Sequence, residues 1–523
     1  MPRWRACGAA LLLATLCAPA ASDVPAGAIG ADGARHLLAR TGFGPTAAEI
    51  RAWAPLDRRA AIDRVLATAR TSPLTAAPAS MTDASPLRPP AGASEAERSA
   101  FRREQVRTGI ELRGWWLGEM LATDSPLTER MTLFWHNHFV SSQQKVRVTR
   151  LMYRQNLLLR QHALGDFGAM LHAVSKDAAM LVYLDGVQNR RAAPNENFAR
   201  EVMELFTLGE GRYTEADVKE AARAFSGWSL DRETGAYVFR PALHDRGEKT
   251  ILGQRGRFDG DGVLDLLLAQ PATAEFVVAK LWREFVSPEP DPAEVKRIAY
   301  AFRASGHRIP VALRELLSTA AFWAPEQRGV LVRSPVELVV GTLRSVELHP
   351  ADVTAFAFAT AGMGQNLFSP PNVKGWRGGE AWIDTNTLLA RKTFVEQLAR
   401  YEESRAMMTT GNAPAIRAAS LPDRLPRAAL APEGFPIGDG EDDAKLRTQR
   451  IARALDRAFR DLGFSATRWV ASMPGATPAD KRAAAQSVLL PIAPAGSGER
   501  ALGEADPLAF VRLTMLDPAY QLK

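Results

Sequence analysis

The chain has 523 residues, 46% of them hydrophobic, enough for a large packed core without covalent staples. Its net charge of +7 is mild for this length and is carried mostly by scattered arginines without interleaved aromatics, a pattern that argues against a nucleic-acid groove. Cys7 and Cys17 are the only cysteines, so beyond residue 17 disulfides, Cys-ligated zinc and thiol catalysis are excluded.

The opening MPRWRACGAALLLATLCAPAASDVPAG carries two arginines, an apolar stretch from Ala9 to Leu16 and the small run Ala18-Pro19-Ala20, which reads as a secretory signal peptide over residues 1–22. Its removal takes both cysteines and, with Arg3 and Arg5, lowers the charge from +7 to +5. The apolar core is too short for a permanent anchor, and no later segment offers roughly 20 consecutive apolar residues. The expectation is a periplasmic or secreted protein with no membrane span and no nucleic-acid partner, built as one large helical domain over residues 30–523.

Helical periodicity dominates the rest. Residues 33–70 predict two short helices separated by Gly42-Phe43-Gly44-Pro45, and residues 71–95, rich in Ala, Pro, Ser and Thr, a linker or long surface loop. A long helix follows over Glu95–Ala122. The next starts with Ser125 as N-cap and Pro126 at its first position, with Leu127, Met131, Phe134 and His138 on one stripe. Pro194-Asn195 predicts another helix start. The capping box Thr214-Glu215-Ala216-Asp217 opens a helix that stops at Gly227-Trp228. The alternation and turn residues of GAYVFRPALHDRGEKTILG predict a small β-hairpin near residues 235–253. Helices resume over 262–359 and 388–408, an exposed loop is expected at 409–444, and a last helical stretch around 445–463. The predicted fold class is mainly α, a large multi-helical globular domain with that one small hairpin.

Four segments carry candidate chemistry. In RMTLFWHNHFVSS, His136, Asn137 and His138 are candidate substrate-binding residues; on a helix, residues two apart point about 200° away from each other, so the two histidines cannot grip one metal ion. In PNENFAREVMELF, Phe198, Val202, Leu205 and Phe206 form the apolar face, while Asn197, Arg200, Glu201 and Glu204 share the opposite stripe. The plain reading of that stripe is an exposed Arg200–Glu204 pair at i, i+4. The functional one has Arg200 keeping one carboxylate ionised while burial raises the other, as acid/base chemistry needs. Glu201 and Glu204 are therefore candidate catalytic residues, with Asn195, Asn197 and Arg200 binding substrate.

His244-Asp245 in HDRGEK falls in a predicted loop, where an adjacent carboxylate can orient an imidazole; both are candidate catalytic residues and Lys249 a candidate binding residue, against a simple polar turn. In MGQNLFSPPNVKGWRGGEAWIDTNTLLAR, Trp376 and Trp382 could offer flat faces to sugar rings, with Asn372, Lys374, Asp384 and Asn386 beside them; the plain alternative is a plug packed on helices. No G-x-S-x-G supports a catalytic serine.

These segments, together with HLLARTGFGPTAAEI, AAMLVYLDGVQNRRAAPNENFAREVMELFTLGEGRYTEADVKEAARAFSGW, RSPVELVVGTLRS and PPNVKGW with GGEAWI, resemble the bacterial family catalogued as domain of unknown function 1800. The resemblance implies an exported, helix-rich protein of unassigned activity, often encoded beside a second exported family resembling sulfatases and alkaline phosphatases. Family members often have His where this chain has Phe206, which puts in doubt any metal site relying on that position.

The leading functional expectation is a hydrolase acting on a glycan or another envelope polymer through Glu201, Glu204, His244 and Asp245. A metal-dependent hydrolase using the histidines is the second reading, in which a divalent metal would be the cofactor; otherwise none is predicted and no metal ligand is assigned. The third is a non-enzymatic partner or scaffold for a co-exported sulfatase- or phosphatase-like protein.

Overall fold

The structure is a computed structural model describing residues 27–83, 86–409, 453–495 and 506–523. The expected signal peptide with both cysteines, the loop at 409–444 apart from Thr409, and residues 445–452 lie outside the described residues. The chain is mainly α-helical, with two two-stranded sheets among the described residues. One continuous set of buried apolar side chains runs from Ala34 to Tyr520.

Local signals set the helix ends. Ser94 and Glu97 form a capping box at the start of the Glu95–Ala122 helix, satisfying two backbone donors that the first turn leaves free. The first half of that helix is exposed and carries Glu104–Arg107–Glu111. Its second half buries Trp116, Leu117 and Met120 against the Pro335–Ser345 and Thr354–Gly362 helices. Pro126 begins the Pro126–His138 helix, since its missing N–H has no intrahelical partner to lose there. The Thr214–Asp217 box opens Glu215–Ala224 as its spacing predicts.

Several expectations need correction. Residues 33–70 form three helices, Gly30–Thr41, Ala47–Trp53 and Arg58–Ala67, because Asp57 caps a further start by accepting from Ala60 N at 2.8 Å. Residues 71–95 are no free linker: Leu74 N and Thr75 N donate to the Glu119 carboxylate at 2.6 and 2.8 Å, and Met81 and Leu87 are buried. The helix expected from Pro194-Asn195 starts at Asn197, because the Asn195 side chain accepts from Asn197 N at 2.9 Å and holds an Asx turn instead.

Where one hairpin is expected there are two. Trp228–Leu230 pairs with Tyr237–Phe239, and Lys249–Ile251 pairs with Gln254–Gly256. Pro241, which has no N–H to give to a ladder, opens a 3-10 turn between them. The second hairpin closes on Leu252-Gly253, both at positive φ (50° and 76°), the backbone of a two-residue turn that matches strand twist.

Two glycines permit close approaches. A Cβ on Gly341, in the Pro335–Ser345 helix, would stand 2.3 Å from the Phe43 carbonyl oxygen, so this helix lies directly on the Gly42–Pro45 break. A Cβ on Gly375 would stand 2.2 Å from Asn137 Oδ1, and Gly375 holds φ 77°.

No single helix among the described residues is long and apolar enough to cross a membrane. The Gly260–Ala269 and Pro271–Phe285 helices meet that test only jointly, across a 73° bend, and both bury apolar residues in the core.

Candidate functional site

The Pro126–His138 helix sends its two histidines to different neighbours, as their spacing predicts. His136 is 1% exposed and packs against Trp116, Phe368 and Trp376 at ring distances of 5.4–5.8 Å; its Nε2 has no hydrogen-bond partner. Burial alone pulls it down to about 3, so it is a neutral core ring and not a substrate contact. Phe368 is fully buried against it at φ 62°, a left-handed backbone that bulky side chains rarely adopt.

His138 faces the Pro271–Phe285 helix and the end of the segment that carries the glutamates. Its Nε2–H donates to the Phe206 carbonyl at 3.1 Å, and its Nδ1 accepts from Lys280 Nζ at 3.1 Å. Lys280 also donates to the Leu205 carbonyl at 3.1 Å. Burial, with Arg283 nearby, pulls the Lys280 ammonium down to about 7. The sequence reading missed Lys280. Its signal was a lysine three and four residues after Val277 and Phe276 on a helix that otherwise turns apolar residues inward.

The Leu205 and Phe206 carbonyls lie in the last turn of their helical segment, where carbonyls have no intrahelical partner, and that segment changes type along its length. Asn197–Glu201 is α-helical, but Val202–Thr207 widens into a π-helix, with Leu208 N donating to Met203 O at 2.8 Å. Single π turns are frequent at functional sites. The Arg200–Glu204 expectation is corrected by the partners that Arg200 takes. Arg200 forks onto Glu215 at 2.6 and 2.7 Å and reaches Glu196 at 3.3 Å.

Glu201 and Glu204 are thus left to other partners. Glu204 accepts from the Tyr213 hydroxyl at 2.5 Å and lies 3.8 Å from Lys374 Nζ. Glu201 is partly buried and makes no hydrogen bond or ion pair among the described residues. Burial first, then the neighbouring Glu204 charge, raises its carboxyl above the ordinary range, while Arg200 and Lys374 act the other way. Burial and then Glu204 push Tyr213 up to about 12.

Lys374 reaches Glu204 from the loop at 369–382, which is clamped by a two-way bond: Trp376 N donates to Asn137 Oδ1 at 2.7 Å and Asn137 Nδ2 to Trp376 O at 3.1 Å. Asn137, assigned to substrate by sequence, is therefore the clamp. Trp376 and Trp382 are 5% and 8% exposed, so they do not stand out as open platforms. Both nevertheless line a cavity of about 420 Å³ together with His138, Lys280, Lys374 and Asn137.

That cavity is strongly cationic. Arg130, Arg283, Arg377 and Lys523 join Lys280 and Lys374 around it, against Glu284 and Glu337, while Lys374 is bonded to Glu210 at 3.0 Å. Glu337 bonds Arg130 and Lys523, and Glu284 meets Arg130 at 2.5 Å. Lys523 is buried and pulled down to about 8 by burial and the charge of Arg130.

The HDRGEK loop takes no part in this. Asp245 is forked by Arg223 at 2.7 and 3.2 Å, which holds its carboxyl below the usual range, and it does not orient His244. His244 Nδ1 lies 2.9 Å from Ser226 O. Lys249, 2% exposed, donates to the Asp245 and Gly247 carbonyls at 2.7 and 3.0 Å. These contacts stitch the loop to itself and to the Glu215–Ala224 helix. Asn195 and Asn197 are likewise engaged locally, Asn195 N donating to Asn189 Oδ1 at 3.0 Å and Asn197 Nδ2 to Asp185 at 3.3 Å. Among the described residues, no group of three His, Cys, Asp or Glu side chains is arranged to hold a metal ion.

The family described as Protein of unknown function (DUF1800) matches residues 36–522. This chain belongs to that family. No curated protein and no solved structure matches it. Membership covers nearly the whole chain and leaves the activity to be read from the cavity and the carboxylates beside it.

Proposed function

We propose that this chain is an exported hydrolase of a glycan or another envelope polymer, with Glu201 as general acid and Glu204 as general base. The observation that carries the reading is the unequal pair. Glu201 has no hydrogen-bond partner among the described residues and a raised proton affinity, while Glu204 receives the Tyr213 hydroxyl and lies near Lys374. Two carboxyls with separated environments are what acid/base cleavage of a C–O bond uses. Glu201 gives its proton to the leaving oxygen as the bond breaks; Glu204 takes a proton from the water that adds. Lys374, bonded to Glu210 at 3.0 Å and 3.8 Å from Glu204, also lines the cavity and so relates the pair to the space proposed to hold the polymer segment.

The test is release of new ends from bacterial envelope polysaccharides by the purified full chain, with Glu201→Gln and Glu204→Gln alongside. General acid/base groups contribute roughly 10²–10⁴-fold, so each variant should lose at least about 100-fold while keeping its melting temperature. Release unchanged in both folded variants would end the proposal.

A further inference from the structure

We infer that the cavity beside Lys374 is an anion subsite, which takes the carboxylate, sulfate or phosphate group of a sugar-sized ligand between Lys280 on its wall and Arg283 and Arg377 at its mouth. The inference rests on reading this cavity as the substrate cavity of the proposed hydrolase, and it names the charge that the substrate carries.

The distribution of charge is the argument. Among the described residues, Glu284 and Glu337 are the carboxylate side chains on the cavity wall, and both are engaged with Arg130, Glu337 with Lys523 as well. Lys280, Arg283 and Arg377 have no carboxylate partner among the described residues. Among the described residues, Lys280 meets neutral partners: His138 Nδ1, the Leu205 carbonyl and the Phe276 ring. A partly desolvated ammonium without a counter-charge is costly, and the loss of proton affinity at Lys280 reflects that cost and the repulsion from Arg283. An anion in the cavity would relieve both at once.

A purely structural lysine explains less. The Lys280 ammonium lies over the Phe276 ring, Nζ 4.7 Å from its centre, a contact that eases its burial without supplying a counter-charge. The head is also held by two acceptors on the cavity wall, and Arg283, whose charge acts on it, has no carboxylate partner among the described residues. Buried Arg130 also leaves its Nε without a partner. The volume of about 420 Å³ lies within the range of small-molecule pockets, and the Trp376 and Trp382 rings supply apolar wall for a sugar ring.

The experiment is calorimetric titration of the full chain with glucuronate, glucose 6-sulfate, glucose 6-phosphate and glucose. At least one charged sugar should bind about tenfold or more tightly than glucose, the size of one charge-assisted contact. Arg283→Ala and Arg377→Ala, both at exposed side chains, should each weaken that binding about tenfold, and Lys280→Met should weaken it further. Equal binding of glucose and all three anions, no binding of any of them at millimolar concentration, or wild-type affinity in both folded arginine variants would overturn the inference. Binding is read without turnover, so Glu201→Gln should bind the same anion as wild type does. Retained anion binding in a chain that cleaves nothing would sink the hydrolase reading alone, and cleavage lost in Glu201→Gln without any anion binding would sink this one alone.

Discussion

Lys280 Nζ stands 3.1 Å from His138 Nδ1, while the same imidazole donates its Nε2 proton to the Phe206 carbonyl. The histidine is therefore fixed as a neutral acceptor toward the lysine, and the ammonium is the only group of the pair that changes charge near neutrality. The groups facing it are the His138 ring, the Phe276 ring and the Arg283 guanidinium, none of which can be negative.

A pH dependence of ligand binding follows. Lys280, pulled down to about 7, is charged below that pH and neutral above it. Affinity for a charged sugar should hold steady below about pH 6 and decline above 7, approaching tenfold per pH unit if the charge is essential. Lys280→Met should flatten the curve. Titrations at pH 6 and 8 measure this, and a curve unchanged by the substitution would assign the decline to another group.

Catalysis should have its own pH signature. A general acid works in its protonated form, so activity is lost as pH rises through the raised Glu201 value. The Lys374 charge holds Glu201 lower than it would otherwise be. Lys374→Ala should therefore move the alkaline limb of the kcat/KM profile to higher pH. Tyr213→Phe removes the donor to Glu204 and should leave that limb nearly in place while lowering the rate about tenfold. A limb that stays fixed in Lys374→Ala would remove Glu201 as the acid.

Acid should destabilise the fold through its buried histidines. His36 and His136 are pulled down to about 3, mainly by burial, and His138 also lies well below its usual value. Between about pH 3 and 6.5 the unfolded chain binds more protons than the folded one, so stability is present above 6.5 and lost as pH falls through that window. At pH 4 the loss is about 3 kcal/mol for each of His36 and His136. Asp177, raised to about 6 by burial, acts oppositely between about pH 6 and 3.8 and offsets one histidine in part. His136→Phe, among Trp116, Phe368 and Trp376, should gain on wild type in urea midpoint from pH 7 to pH 4. A constant difference between the two would show that His136 takes up no proton on unfolding.

How much of this could be read in advance depends on the range of each interaction. The start of Glu215–Ala224 was legible because a capping box spans three residues. The opposed histidines were legible from helix geometry. The Arg200 partner was misread because Glu215, onto which the guanidinium forks, lies 15 residues along the chain, where no i, i+4 rule looks. His244-Asp245 misled by adjacency, since neighbouring side chains in an extended segment diverge and Arg223 claims the carboxylate. Lys280 and Lys523 stayed hidden because their partners lie 142 and 186 residues away.

The buried pair behind the site gives a stability prediction. Glu129 and Arg160, both about 1% exposed, meet through Nε–Oε1 at 2.6 Å and Nη2–Oε2 at 2.9 Å, and Trp116 Nε1 donates to Glu129 Oε2 at 3.0 Å. Removing one partner leaves a buried charge without compensation, so Arg160→Met should cost about 3–5 kcal/mol. Glu129→Gln combined with Arg160→Met should recover much of that loss, because Gln keeps an oxygen for Trp116 Nε1 and removes the orphaned charge. Asn156 Oδ1, which accepts from Arg160 Nη1 at 2.7 Å, loses its donor in both variants and keeps the recovery incomplete. Urea unfolding of the wild type, the single and the double variant measures the ordering. A double variant less stable than the single one would mean that the hydrogen bonds of Glu129, and not its charge, dominate the cost.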